Sequence, residues 1–247
     1  METGIVFDIK ELTLFDGKGI NITVFMKGCP LHCIWCHNPE GISNEIKMYG
    51  SKRVGLKLTS DDLAIRLNRY TKLQEAFGGF IIFSGGEPLQ QTDFIIETIK
   101  KLYYKKIIID TSGYTNKNDL IIISPYVEKY YYDLKIIDEN LHRAFTGQSN
   151  QIIIDNLYFL DRLNKEIVIR VPLINGITDS STNIQAIANV IKKCNNINRI
   201  EFLQENPYTY SKYKSLNIPF VKREKNSHQF MLDRKIFNGI PVEYFRV

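Results

Sequence analysis

Three cysteines of this chain fall within eight residues, in Gly28-Cys29-Pro30-Leu31-His32-Cys33-Ile34-Trp35-Cys36-His37-Asn38-Pro39, with CxxxCxxC spacing. Thiolates are soft ligands, and three this close together suit one corner of an iron–sulfur cluster. A cubane usually takes four cysteines. Only three are local here, so one iron would stay open to a small-molecule ligand. The alternative is a structural zinc site with His32 or His37 as the fourth ligand. Three ordinary core cysteines do not suit a loop this polar and turn-rich. Cys194 stands far away, late in a predicted helix, and reads as an inert buried thiol.

The surrounding composition bounds the choice. With 44% hydrophobic and 24% charged residues, the 247-residue chain reads as an ordinary soluble globular protein. The net charge of +5 is mild and the basic residues are spread among acidic ones, which argues against a nucleic-acid stripe. The N-terminus lacks an apolar signal region, and no apolar run approaches the ~18 residues needed to cross a bilayer. The expected location is therefore the cytoplasm, where thiols stay reduced and four cysteines suggest metal or redox chemistry rather than disulfides.

Six short apolar runs are predicted as strands: Ile20–Lys27, Phe80–Ser84, Ile107–Asp110, Tyr130–Leu134, Ile167–Val171 and Arg199–Leu203. They are apolar nearly throughout, as in strands buried on both faces of a parallel sheet. Helical patterns lie between them. Thr59–Phe77 opens with a Thr-Ser-Asp-Asp cap and sets Leu63, Leu67, Tyr70, Leu73 and Phe77 along one face; Asp155–Leu163 and Ser180–Lys193 follow suit. The succession predicts an α/β fold, a partial (β/α)6 parallel barrel in a single domain spanning residues 1–247. A full eight-stranded barrel would need roughly 250 residues by itself. Function in such sheets sits at the carboxyl ends of strands. There the chain places Gly28–Cys36, Ser84–Pro88, Asp110–Gly113, Asp133–Lys135 and Arg170–Pro172. Taken singly, Gly85-Gly86 also reads as a tight turn and Asp110-Thr111 as a helix cap. His142 and His228 read as surface histidines.

These residues resemble a known family, the radical S-adenosylmethionine enzymes, and within it the activating enzymes of glycyl radical enzymes. The resemblance runs from Gly4 to about Tyr213 through FDGKGINITVFMKGCPLHCIWCHNPEG, FSGGEPL, IIIDTSGY, YYYDLKIIDENLHRAFTG, VIRVPLINGITD and RIEFL. It implies that Cys29, Cys33 and Cys36 ligate one 4Fe–4S cluster whose fourth iron chelates the methionine moiety of S-adenosylmethionine. It implies further that Ser84, Gly85, Gly86 and Glu87 hold the amino group, and that Trp35 lies against the adenine. Asp110, Thr111 and Asp133 match positions for a monovalent cation, Na+ or K+, while Lys135 and Arg170 match cofactor-contacting or site-organising positions. The implied reaction is reductive cleavage to a 5′-deoxyadenosyl radical that takes hydrogen from a glycine of a partner glycyl radical enzyme. A flavodoxin- or ferredoxin-type protein would supply the electron. No nucleic acid or membrane is implied, and a monomer is expected.

The chain also departs from the family. The ferredoxin-like insert of many activating enzymes is missing between Pro39 and Thr59, which leaves one cluster. Asp16-Gly17-Lys18-Gly19-Ile20-Asn21 lacks the family's arginine, and Glu205 and Asn206 stand where a Tyr-His pair is usual. These changes leave open a radical enzyme acting directly on a small molecule or ribosomal peptide. A zinc-binding interaction module is the third reading. The segment from Asn206 to Tyr213, with the rest of residues 206–247, is read as covering the site or meeting a partner, with a plain solvated loop as the alternative.

Overall fold

The computed structural model describes residues 2–13, 19–221 and 233–245. The Asp16-Gly17-Lys18 stretch and His228 lie outside them. Two compact units interleave along the sequence. The first takes the described residues up to Pro30, with Glu40–Thr111 and Thr115–Tyr130; the second takes Leu31–Pro39, Ser112–Tyr114 and the described residues from Tyr131 onward.

In the first unit the chain forms β1 (Thr3–Thr13), β2 (Asn21–Met26), β3 (Lys47–Tyr49), β4 (Lys52–Val54) and β5 (Leu56–Thr59). Then come α1 (Ser60–Asn68), α2 (Thr71–Phe77), β6 (Ile81–Gly85), α3 (Thr92–Lys100), β7 (Ile107–Thr111) and α4 (Lys117–Ile123). The strand order is β5-β1-β2-β6-β7. β2, β6 and β7 run parallel, with Ile22 opposite Ile81 and Ile81 opposite Ile107. All three residues are at most 1% exposed, as expected for strands covered on both faces. β1 pairs antiparallel with β2 and β5. Its burial alternates, the mark of a strand with one solvated face, so it is absent from the apolar runs above.

The expected cap at Thr59 forms a capping box with Asp62. The single helix expected from Thr59 to Phe77 is instead two. Asn68 ends α1: its side chain donates to the Lys101 carbonyl (3.1 Å) and accepts from the Tyr103 N–H (3.0 Å). The apolar face does not continue across the break. Leu63 and Leu67 are buried, whereas Leu73 and Phe77 are 40% and 67% exposed.

β8 (Lys129–Asp133) begins in the first unit and ends in the second, which continues with α5 (Glu139–Thr146), α6 (Gln151–Arg162), β9 (Glu166–Leu173) and α7 (Ser181–Ile191). β10 (Ile197–Gln204), α8 (Thr209–Ser215) and β11 (Val242–Phe245) complete it, in the strand order β8-β9-β10-β11. β9, β10 and β11 pair in parallel. All six predicted strands therefore form, as β2 and β6 to β10. α7 ends at Ile191, so Cys194 lies just past the helix rather than in it. Burial and the Asp161 carboxylate push its thiol up to about 12. The expectation of a surface His142 is overturned: it is 1% exposed, because its ring nitrogen finds a partner inside the fold. Among the described residues no helix is long and apolar enough to cross a membrane.

Candidate active site

The first unit carries Cys29 and two of the strand-end motifs. The neck of the cysteine loop is closed by backbone bonds, Gly28 N–H to the Gly41 carbonyl (2.8 Å) and Cys29 N–H to the Ile42 carbonyl (2.9 Å). The Lys27 ammonium donates to the Glu40 carbonyl, and the Gln91 amide donates to the Lys27 carbonyl (2.8 Å). Lys27 is 1% exposed; desolvation lowers its pKa, and the Glu40 carboxylate opposes that shift. Burying so long a cation is costly without partners, so these bonds hold it in place.

The Ser84–Glu87 turn packs against the same neck. The Gly86 N–H reaches the Met26 carbonyl (2.8 Å) and the Glu87 N–H the Gly28 carbonyl (2.7 Å). A Cβ on Gly86 would lie 2.4 Å from the Gly28 carbonyl oxygen and 2.8 Å from that of Gly41. Gly85 adopts φ +111, a conformation that favours glycine. Ser84 Oγ donates to Asp110 Oδ2 (2.7 Å). Glu87 is fully buried, and its Oε1 accepts from Thr111 Oγ1 (2.7 Å) and from the Leu89 N–H (3.2 Å). The turn thus joins the ends of β2, β6 and β7 into one polar cluster, and Glu87 serves it as a strut.

The second unit carries Cys33, Trp35, Cys36, Asp133, Lys135 and Arg170. The Cys36 N–H turns back to the Cys33 carbonyl (3.0 Å). Burial pushes the Cys33 thiol up to about 12; the Lys135 ammonium pulls it down, and Cys36 and Asp133 add to the rise. A cation facing this sulfur favours the thiolate that a metal requires. Lys135 Nζ also pairs with Asp133 Oδ2 at 2.6 Å. Trp35 is 6% exposed, packs with Ile136 and Ile174, and lies 6.4 Å from the Phe145 ring. Arg170 donates from Nε to Glu201 Oε2 (2.8 Å), and its guanidinium sits 3.6 Å over the ring of Tyr131. Glu205 is half-buried. Asn206 shapes the start of α8, its Oδ1 accepting from the Tyr208 N–H (2.8 Å). From α8, Lys212 Nζ bonds Asn38 Oδ1 (2.6 Å), tying the Tyr- and Lys-rich segment to the cysteine loop.

Three thiols in one loop are the soft donor set that an iron–sulfur centre takes, while among the described residues no three Cys, His, Asp or Glu side chains are gathered around a point that would hold a single metal ion. The three cysteines stand as half-buried thiols. Within the first unit the neck of the loop is pinned against the Gly85-Gly86 turn, and within the second a lysine faces Cys33. Sequence reading missed Lys27, Gln91, His142 and Glu201. Lys27 and Glu201 each interrupt or end an apolar strand run, which is the signal that could have found them.

A family model described as the Radical SAM superfamily matches residues 23–184. The chain is 32% identical over 226 residues to the pyruvate formate-lyase-activating enzyme of Clostridium pasteurianum, with 91% of each chain covered. It is 30% identical over 232 residues to the trans-4-hydroxy-L-proline dehydratase activating enzyme of Clostridioides difficile, covering 73% of this chain and 77% of that one. Among solved structures, a radical SAM methyltransferase from Sphaerobacter thermophilus superposes with a TM-score of 0.61 at 14% identity, covering 97% of this chain and 77% of that structure. That likeness establishes the α/β fold.

Proposed function

Because the chain belongs to the radical SAM superfamily, we propose that it is an activating enzyme that cleaves S-adenosylmethionine reductively and installs a glycyl radical on a partner enzyme. The observation that carries this reading is the near-full-length similarity to an activating enzyme, 32% identity with 91% of each chain covered. The 5′-deoxyadenosyl radical so formed takes a hydrogen atom from a glycine of the partner.

One 4Fe–4S cluster, held by Cys29, Cys33 and Cys36, supplies the electron for the cleavage when bound. The chain's own residues do the positioning. The backbone of Ser84–Gly86 offers its polar groups to the amino group, with Glu87 bracing that turn. Trp35 lines the adenine side, while Lys135, just past β8, and Arg170, within β9, supply cationic groups. Asp110, Thr111 and Asp133 offer the hard oxygens that a Na+ or K+ ion takes; their present partners are Ser84, Glu87 and Lys135. A flavodoxin- or ferredoxin-type protein is the electron donor, and the cytoplasm is the setting.

Neither departure from the family's pattern favours direct action on a small molecule or peptide. Asn21 is fully buried and its Oδ1 accepts from the Phe80 N–H (2.9 Å), so it acts as a strut. Asn206 is engaged at the start of α8. The test is anaerobic reconstitution with iron and sulfide, then reductant, S-adenosylmethionine and a glycyl radical enzyme encoded nearby, read by EPR. A glycine-centred doublet that is lost in Cys29→Ala, Cys33→Ala and Cys36→Ala is expected. A chain that binds about four irons yet yields no doublet with any such partner would refute the activating role.

A further inference from the structure

The cysteine loop has no regular secondary structure around Cys33, yet its backbone is held from both sides of that residue. The His32 N–H donates to the Thr146 carbonyl (2.7 Å), and the Ile34 N–H donates to the Phe145 carbonyl (3.1 Å). Both acceptors belong to the last turn of α5, where helix carbonyls lack partners within the helix. The end of α5 thus serves as a template for residues 32–35. Phe145 adds a side-chain contact there, its ring against Trp35.

What fixes that last turn is His142. Its Nδ1 donates to the Gln148 carbonyl (2.7 Å) and lies 3.1 Å from Thr146 Oγ1, which itself donates to the His142 carbonyl (2.8 Å). Gly147, in the left-handed region at φ +82, lets the chain reverse so that Gln148 comes back over the ring. An exposed helix end could frays freely without such a lock; here a buried imidazole closes the turn one hydrogen bond away from the carbonyls that hold the loop.

We infer that His142 is a positioning residue for the cluster: through the Thr146–Gln148 turn it sets the backbone on either side of Cys33 and the ring of Trp35. The inference rests on the cluster reading above. Partners behind metal ligands typically cost 10–100-fold in metal affinity when removed.

Three readouts test it, one of which needs no cluster. Trp35 is the sole tryptophan of the chain, so its fluorescence reports the loop before reconstitution. His142→Phe keeps ring volume and loses the donor; His142→Asn restores a donor close to the position of Nδ1. For His142→Phe we expect red-shifted Trp35 emission, iron release to a ferrous chelator about 10-fold faster than wild type, and a broadened EPR signal from the reduced cluster. His142→Asn should lie within about twofold of wild type. A His142→Phe protein with wild-type melting, emission and iron release overturns the inference. If that variant fails to fold, Gly147→Ala carries the test, since the same turn is strained at an exposed position; wild-type emission and release in that variant overturn it equally. Wild-type protein that takes up no iron overturns the cluster reading instead, whereas unchanged Trp35 emission in a folded variant counts against the template alone.

Discussion

Glu201 lies between two arginines, and removing it should destabilise the second unit more than removing either arginine. It is 2% exposed; Oε2 accepts from Arg170, and Oε1 accepts from Arg199 at 2.5 and 2.9 Å. Glu201→Leu takes the carboxylate from both. The side chain of Arg170 is only 10% exposed, while Arg199 is 19% exposed and keeps Glu243 at 3.4 Å. Breaking a buried pair costs about 3–5 kcal/mol, and the retained Glu243 contact sets the expectation near the middle, about 4 kcal/mol. Arg170→Met leaves Glu201 paired with Arg199, so it loses one charge-assisted bond, about 2 kcal/mol, and a stacking contact on Tyr131 of roughly 1 kcal/mol. In the double variant the more buried guanidinium is gone, and Arg199, which has lost Glu201, keeps Glu243. Its cost should therefore stay near 4 kcal/mol rather than reach the additive sum of about 7. Urea midpoints at constant slope measure all three. Additive losses in the double variant would refute the shared-carboxylate argument.

Other outcomes follow from the same geometry. Gly86→Ala should lower stability by about 1–3 kcal/mol and abolish iron uptake, because its Cβ would press on two carbonyl oxygens at the loop's neck; thermal melting and iron analysis report both. Thr111→Val withdraws a donor from the buried Glu87 carboxylate and should cost about 1.5–3 kcal/mol, again read by melting; a neutral result would mean that Glu87 does not depend on that hydroxyl. Burial lowers the pKa of His142 below its ordinary 6.5, against the Gln148 hydrogen bond that raises it. Below 6.5 the unfolded chain therefore binds the proton more readily than the folded one. The contribution of the neutral ring is present above that pH and is lost as pH falls through the lower folded value. His142→Asn should flatten this part of the stability–pH curve below 6.5, and an unchanged slope would contradict it.

The sequence was most legible where burial is two-sided. Ile22, Phe83 and Ile109 sit in runs that are apolar because both faces are covered, and those runs mark the strands whose ends bear the motifs. β1 was illegible by the same criterion, since exposed Asp8 and Lys10 alternate with half-buried Phe7 and Ile9 on a half-solvated strand. Helical periodicity carried the α1 face through to Leu73 and Phe77 because nothing in residue type alone announces that the Asn68 side chain is bound to Lys101 and Tyr103. The cysteine cluster was readable from its spacing, and the paired glycines from the resemblance. Their supports were not: Lys27, His142 and Glu201 are polar residues whose burial depends on partners that include the Glu40 carbonyl, the Gln148 carbonyl and Arg170.

The neck of the cysteine loop has a consequence for how the chain tolerates change. The Gly28–Gly41 and Cys29–Ile42 bonds close the cysteine loop at its neck, and the β3–β4 hairpin follows it in the chain. Its tip at Gly50 and Ser51 is solvent-facing, with nothing within 4 Å of a Cβ placed on Gly50. Exposed tips of this kind accept insertions because no buried backbone bond is lost. The hairpin is thus a natural socket: a foreign module grafted there, an electron-transfer domain included, would leave the bonds at the neck of the cysteine loop intact.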